Sequence, residues 1–189
     1  MTDEYIDILD KHGKPTGVVQ LKSEAHRLGL YHASVHIWFF KSSGELLLQK
    51  RAFDKDTYPG LWDVSVAGHI GTEESVVNAA IREIKEEIGI AIEIANLEHI
   101  GLWLSQKIPV AYLFDNEFQH IFLVRSNINL EDISLQEEEV CEIKFIDIKK
   151  LQMHLKDPIY SKKICATWGR VFFIYNRKRF ESISIIVLS

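Results

Sequence analysis

Short apolar runs alternate with turn-forming residues through the first third of the chain, and the runs carry the two-residue period of strands. Residues 5 to 9 alternate and lead into DKHGKPTG, where Gly13 and Pro15 mark a turn, so a hairpin ending near Val19 is expected. Lys22 to Gly29 reads as a brief helix or loop. Ser34 to Phe40 and Leu46 to Lys50 are dense in β-formers and flank an SSGE turn, which predicts two neighbours in a central sheet. After the Pro59-Gly60 turn a further strand is expected from about Trp62 to Ala67.

At Thr72 the period lengthens to that of a helix. Val77, Ala80, Ile81, Ile84 and Ile88 share one face at roughly 100° per residue, and Glu83, Glu86 and Glu87 share another. Thr72 is the expected cap, Glu73 and Glu74 suit the first turn through the helix dipole, and Gly89 is placed to end the helix. Strands are expected at 97–104, 110–114 and 117–125, the last with Phe118, His120, Phe122 and Val124 on one side. An acidic loop at 132–139, a strand at 142–146 and a helix from Lys149 follow. The basic and aromatic stretch 159–180 is expected to be partly helical, and ISIIVLS to be a terminal strand or a disordered end. The expected fold class is α/β (α+β), a mixed sheet between helices.

With 189 residues, 47% of them hydrophobic, the chain suits one domain with flanking elements. The 22 basic and 27 acidic side chains give a net charge of −5, which offers no general basic field for nucleic acid. A phosphate-bearing ligand therefore needs a metal ion or local cations. Cys141 and Cys165 are in no paired spacing, so no disulfide framework is expected. The N-terminus lacks the character of a secretory signal and no apolar run reaches the roughly 18 residues of a membrane span, so a cytoplasmic protein is expected.

Glu83 stands three and four residues from Glu86 and Glu87, and each like-charged pair weakens a helix by a few tenths of a kcal/mol. A hard divalent cation would offset that repulsion with oxygen ligands. A solvated acidic face is the ordinary alternative. Against it, Gly68, Glu74, Arg82, Glu83, Ile84, Glu86, Glu87, Gly89 and Ile90 fall on the spacing G-x5-E-x7-R-E-U-x-E-E-x-G-U, with U a bulky apolar residue.

This stretch resembles the Nudix box, complete at every specified position. The resemblance implies the Nudix fold over residues 31–156, an N-terminal extension over 1–30, and a C-terminal helical segment and tail over 157–189 packed on the same domain. It implies a hydrolase that cleaves a small-molecule diphosphate, of the type nucleoside diphosphate linked to X, by water attack on phosphorus. Mg²⁺ or Mn²⁺ would be held by Glu83, Glu86 and Glu87 with the carbonyl of Ala67. Arg82 would orient a glutamate, and Gly68, Glu74 and Gly89 would be structural. The base would be Glu86 or Glu87, or else Glu138 or Glu139 on the acidic loop. Lys50 and Arg51 are candidate phosphate contacts, and Trp62, Trp103 and Phe118 candidate stacking residues. A homodimer is compatible with this reading; nucleic-acid and membrane partners are not expected.

Much of residues 5–125 also resembles the isopentenyl-diphosphate isomerase branch of the fold, through DKHGKPTG, Leu30-Tyr31-His32, Trp38, GELLLQKRA, PGLWDVSVAGH and Asp115-Asn116-Glu117. His32, His69 and Glu117 fall where that branch binds a metal, Asp115 replaces one of its glutamates, and His26 is an approximate match to its remaining histidine. A histidine beside a strand is more often structural, so this second metal site is the alternative reading of these residues. Ala67 stands where the isomerases place a catalytic cysteine, and alanine can neither give nor take the proton that isomerisation moves. Three functions compete: a diphosphatase, a prenyl-diphosphate isomerase and a non-catalytic nucleotide-binding module.

Overall fold

His32–Phe40 (β3) places alternate side chains in two cores, and this one strand explains most of the architecture. Trp38 and Phe40 pack on one face of the sheet with Leu46, Leu48, Ile121 and Leu123; Val35, Ile37 and Phe39 pack on the other with Leu47, Phe122 and Val124. Burial on both faces is why the stretch reads as a nearly continuous apolar run. The computed structural model describes residues 3–165 and the backbone of 171–175 and 183–187.

Around β3 lie Glu45–Arg51 (β4), Trp62–Asp63 (β5), Val66–His69 (β6), Leu97–Val110 (β7), Leu113–Arg125 (β8) and Val140–Asp147 (β9). The sheet order is β5-β4-β3-β8-β7, with β6 paired to β3 and β9 to β4. Among the described strands only β3 and β8 pair in parallel, from His32 opposite Glu117 to Phe40 opposite Arg125. Tyr5–Leu9 (β1) and Pro15–Leu21 (β2) form a separate hairpin that leads into Lys22–Leu28 (α1), ended by Gly29 in the left-handed conformation. Bridges from Ile6 to Gly71 and from Leu9 to Tyr31 hold this extension against the sheet.

Val76–Ile88 (α2) covers one face through Ala79, Ala80, Ile84 and Ile88, all fully buried, and each of the two isoleucines contributes about 1.5–3 kcal/mol by leaving water. Ile148–Lys156 (α3) covers the other through Ile148 and Leu151, and Asp147 caps it by accepting from the N–H groups of Lys149 and Lys150.

Several expectations need correction. The strand anticipated from Trp62 to Ala67 is broken at Val64 and Ser65. Ser65 inserts between β3 and β4, accepting from the Phe39 N–H at 2.8 Å and donating to the Leu47 carbonyl at 2.6 Å, so those two strands pair directly only at Phe40 and Leu46. The cap of α2 is Ser75, which accepts from the Asn78 N–H at 3.2 Å, and not Thr72. Glu73 takes φ +61° and Glu74 turns back toward Gly71 and Arg82, which delays the helix. The apolar and acidic faces of α2 are not separate either: Glu83 and Glu87 are buried beside Ile84 and Ile88, and Glu86 is exposed. The strand expected at 97–104 runs on to Val110 as β7, and the piece expected at 110–114 is instead the turn of a long hairpin, at Tyr112, between β7 and β8. The stretch 159–180, expected to be partly helical, carries a 3-10 turn at Ser161–Lys163 and then Val171–Tyr175 (β10), paired with Ile183–Val187 (β11); residues 166–170, 176–182 and 188–189 lie outside the described residues.

Candidate active site

The box is built around a close approach of α2 to β6. A Cβ on Gly68 would stand 2.0 Å from the Glu83 carboxyl carbon, so only glycine lets the helix sit where Glu83 and Glu87 meet the strand. At the other end Gly89 takes φ +70° and a Cβ there would meet Ser134 at 2.9 Å, which fixes how the loop before β9 returns past the helix.

Arg82 organises the carboxylates. Its Nε and Nη2 form a bidentate pair with Glu74 at 2.9 and 2.8 Å, Nη2 also donates to the His69 carbonyl at 2.9 Å, and Nη1 donates to Glu83 at 2.7 Å and Glu86 at 3.0 Å. Glu74 accepts a further bond from the Gly71 N–H, and the Arg82 contact holds its carboxyl below the usual range. These bonds hold the carboxylates of Glu74, Glu83 and Glu86 around one guanidinium.

Glu87 accepts from the Gln49 amide at 3.1 Å and the Ala67 N–H at 3.3 Å, and burial, reinforced by the charges of Glu83 and Glu139, pushes its carboxyl well above the usual range. Burial likewise raises Glu83 to about 7, even with Arg82 pulling the other way. Two buried carboxylates in one field favour either protons or a cation. The acidic loop brings Glu139 to this group, paired with Lys55, whereas Glu138 is exposed and makes no side-chain bond among the described contacts.

Arg51 is largely buried at the end of β4. Its guanidinium bonds the Thr57 carbonyl and hydroxyl and Asp63, tying down the loop after β4. Lys50 pairs with Glu142 at 3.3 Å. Phe118 is buried against Gly13 and Tyr31, which makes it core; Trp62 packs on the core of the α3 side, and Trp103 lies opposite Gln119 on β8.

A second constellation lies where α1, β3, β6 and β8 meet. One ligand atom from each of His26, His32, His69 and Glu117 falls within 4.8 Å of the other three. His26 Nε2 is 3.2 Å from His69 Nε2, and Glu117 lies 3.4 Å from His69, 3.9 Å from His32 and 3.8 Å from His36. The Leu30 carbonyl, 3.0 Å away, can only accept, so His32 carries its proton on Nδ1 and turns a bare Nε2 into the group; that atom is buried and without a partner. Burial and the neighbouring imidazoles lower His26 to about 3, and burial lowers His69. Although burial opposes it, the surrounding imidazoles of His32, His36 and His69 hold Glu117 well below the usual range. Asp115, buried beside it, is pushed up to about 9 by burial and by the Glu117 charge. Neutral imidazoles around one anionic carboxylate are a donor set for a divalent transition metal.

Sequence reasoning missed Gln49, Ser34 and Gln119, which orient the carboxylates: Gln49 donates to Glu87 at 3.1 Å, and Ser34 and Gln119 donate to Glu117 at 2.9 and 3.1 Å. Their available signal was a polar side chain at a strand position that is otherwise buried.

The NUDIX domain family matches residues 30–167. The chain belongs to the Nudix family. It is 36% identical over 94% of its length to Nudix hydrolase 3 of Arabidopsis thaliana, of which it spans 24%. An uncharacterized Nudix hydrolase of Clostridium acetobutylicum is 35% identical over 99% of this chain and 88% of its own. Isopentenyl-diphosphate isomerases also match, one from Photorhabdus laumondii at 31% identity over 79% of this chain and 81% of that protein. Among solved structures, a Deinococcus radiodurans protein superimposes with a TM-score of 0.64 at 20% identity, covering 86% of this chain and 92% of that one, which bears on the fold alone. The Nudix family, its mixed-sheet fold and a hydrolase of diphosphate bonds are thus in accord with the box. Among the described residues no helix is long and apolar enough to cross a membrane.

Proposed function

We propose that this Nudix hydrolase cleaves a substituted diphosphate with Mg²⁺ or Mn²⁺ bound by Glu83, Glu86 and Glu87 and the Ala67 carbonyl. The observation that supports it is the pair of buried carboxylates, Glu83 and Glu87, set side by side by Gly68 and Arg82 with too little positive charge to balance them. Bound there, the cation would neutralise phosphate oxygens and lower the pKa of bound water. Glu86, the exposed member, is assigned as the base: it takes a proton from the attacking water as the new oxygen–phosphorus bond forms and the bridging bond breaks. Glu139, paired with Lys55, instead shapes the field at Glu87. Gln49 keeps Glu87 pointed at Ala67.

A second metal at His26, His32, His69 and Glu117 is part of the proposal, supported by the bare and buried Nε2 of His32. Isomerisation is disfavoured, since Ala67 stands where the isomerases carry a cysteine and can neither give nor take a proton. The test is product release from nucleoside triphosphates, CDP-linked compounds, nucleotide sugars, dinucleotide coenzymes and isopentenyl diphosphate with each metal. Glu86→Gln should lower kcat on the active substrate by about 10²–10⁴-fold. Isopentenyl diphosphate isomerised, with every other compound untouched, would overturn the hydrolase reading.

A further inference from the structure

Lysines from four segments, β4, β9, α3 and the turn that follows it, gather beside Trp62, on a part of the sheet that the box does not use. Lys144 on β9 lies 3.4 Å from the centre of the Trp62 ring, and Lys50 on β4 lies 5.8 Å from the same ring and 5.3 Å from that of Phe53. Lys163, in the 3-10 turn beyond α3, lies 5.4 Å from the Tyr160 ring, which stacks on His154 at 4.2 Å. The bridge of Ile164 to Trp62 and the bond from the Cys165 N–H to the Trp62 carbonyl tie that turn to β5. Lys150 opens the first turn of α3. Among the described residues Glu142 is the one carboxylate paired with these four lysines, at 3.3 Å from Lys50. Asp147, the nearest acid along the chain, is engaged in capping α3.

Like charges held together lose energy unless something answers them, and here the cost is visible. Burial first, then the fields of Lys150, Lys50 and Lys163, drive the Lys144 ammonium below its ordinary pKa despite Glu142. In a chain of net charge −5 with 27 acidic side chains, a group of four lysines facing one glutamate is a local inversion of the molecule's field. The aromatic rings meet the Lys50, Lys144 and Lys163 ammonium groups through one side only, so these keep N–H donors for a ligand. Lys50 and Gln49 are adjacent on β4 and so point through opposite faces of the sheet; since Gln49 bonds Glu87, the lysines lie across the sheet from that box carboxylate.

We propose that Lys50, Lys144, Lys150 and Lys163 around Trp62 form an anion-binding site, distinct from the box, for a chain of phosphate groups. The spread of donors over four segments fits several linked phosphates better than one. The inference does not rest on the hydrolase reading and can be tested without turnover. Inorganic tripolyphosphate is titrated calorimetrically into the full chain, with EDTA present to remove metal. The unaltered protein binds it, Lys144→Gln/Lys163→Gln weakens binding about tenfold or more, and Lys144→Arg/Lys163→Arg restores it to within about threefold. Thermal melts of both double variants, expected to match the unaltered protein, show that the fold is kept. Equal affinity in the glutamine variant, loss of equal size in the arginine variant, or no binding by the unaltered protein would each overturn the proposal.

Discussion

The box and the histidine group are both anionic centres on one scaffold, yet they are balanced in opposite ways. In the box, Glu74, Glu83 and Glu86 share a single arginine, and Glu83 and its neighbour Glu87 are pushed toward protonation by burial. In the histidine group one glutamate is surrounded by imidazoles and hydroxyl or amide donors that keep it ionised. The first arrangement is short of positive charge; in the second the carboxylate charge is answered, and the buried His32 Nε2 has no hydrogen-bond partner. Removing metal should therefore disturb the two regions unequally.

The largest expected effect follows from the box. Glu83 has a folded-state pKa of about 7 against an ordinary 4.5, so the metal-free fold binds a proton that the unfolded chain has released. That stability is fully present below pH 4.5 and is lost as pH rises through about 7, by roughly 3 kcal/mol for this group alone, and Glu87 shifts in the same direction. Thermal melts in EDTA should fall across that window, and Mn²⁺ should remove most of the fall above pH 7. A melting temperature independent of pH in EDTA would break the contrast.

A smaller effect is expected at the arginine. Arg82→Leu leaves Glu74, Glu83 and Glu86 without their shared partner and should cost about 2 kcal/mol, discounted from a fully buried pair because the guanidinium is about a third exposed. Denaturant midpoints check this, and metal should recover only part of the loss, since Glu74 and the His69 carbonyl are held by Arg82 itself.

The contrast also explains what could be read from the residues alone. The box was legible because its glycines, arginine and glutamates lie within one strand-turn-helix unit, where spacing translates directly into geometry. Gly89 ended the helix as expected, but Ser75 displaced Thr72 as its cap because Glu74 is drawn back to Arg82, a side-chain demand that propensity does not carry. The histidine group was only partly legible, since it is assembled from α1, β3, β6 and β8, and His26 joins it through the packing of the N-terminal extension. The break at Ser65 likewise depends on a gap between β3 and β4 that no local pattern reports. The lysines around Trp62 were visible as scattered strand and helix charges, and only β4, β5, β9 and the turn after α3 make them neighbours.

The smallest effect on the fold, and the most direct test of the account, is metal stoichiometry by calorimetric titration with Mn²⁺. Three chains are compared: unaltered, Glu83→Gln/Glu87→Gln, and His32→Gln/His69→Gln/Glu117→Gln. The account predicts two classes of site in the unaltered chain, with the box class absent from the first variant and the histidine class absent from the second, while thermal melts show both variants folded. Stoichiometry unchanged by the histidine variant would remove the second metal, and unchanged by the glutamate variant would contradict the cation site on which the proposed hydrolysis depends.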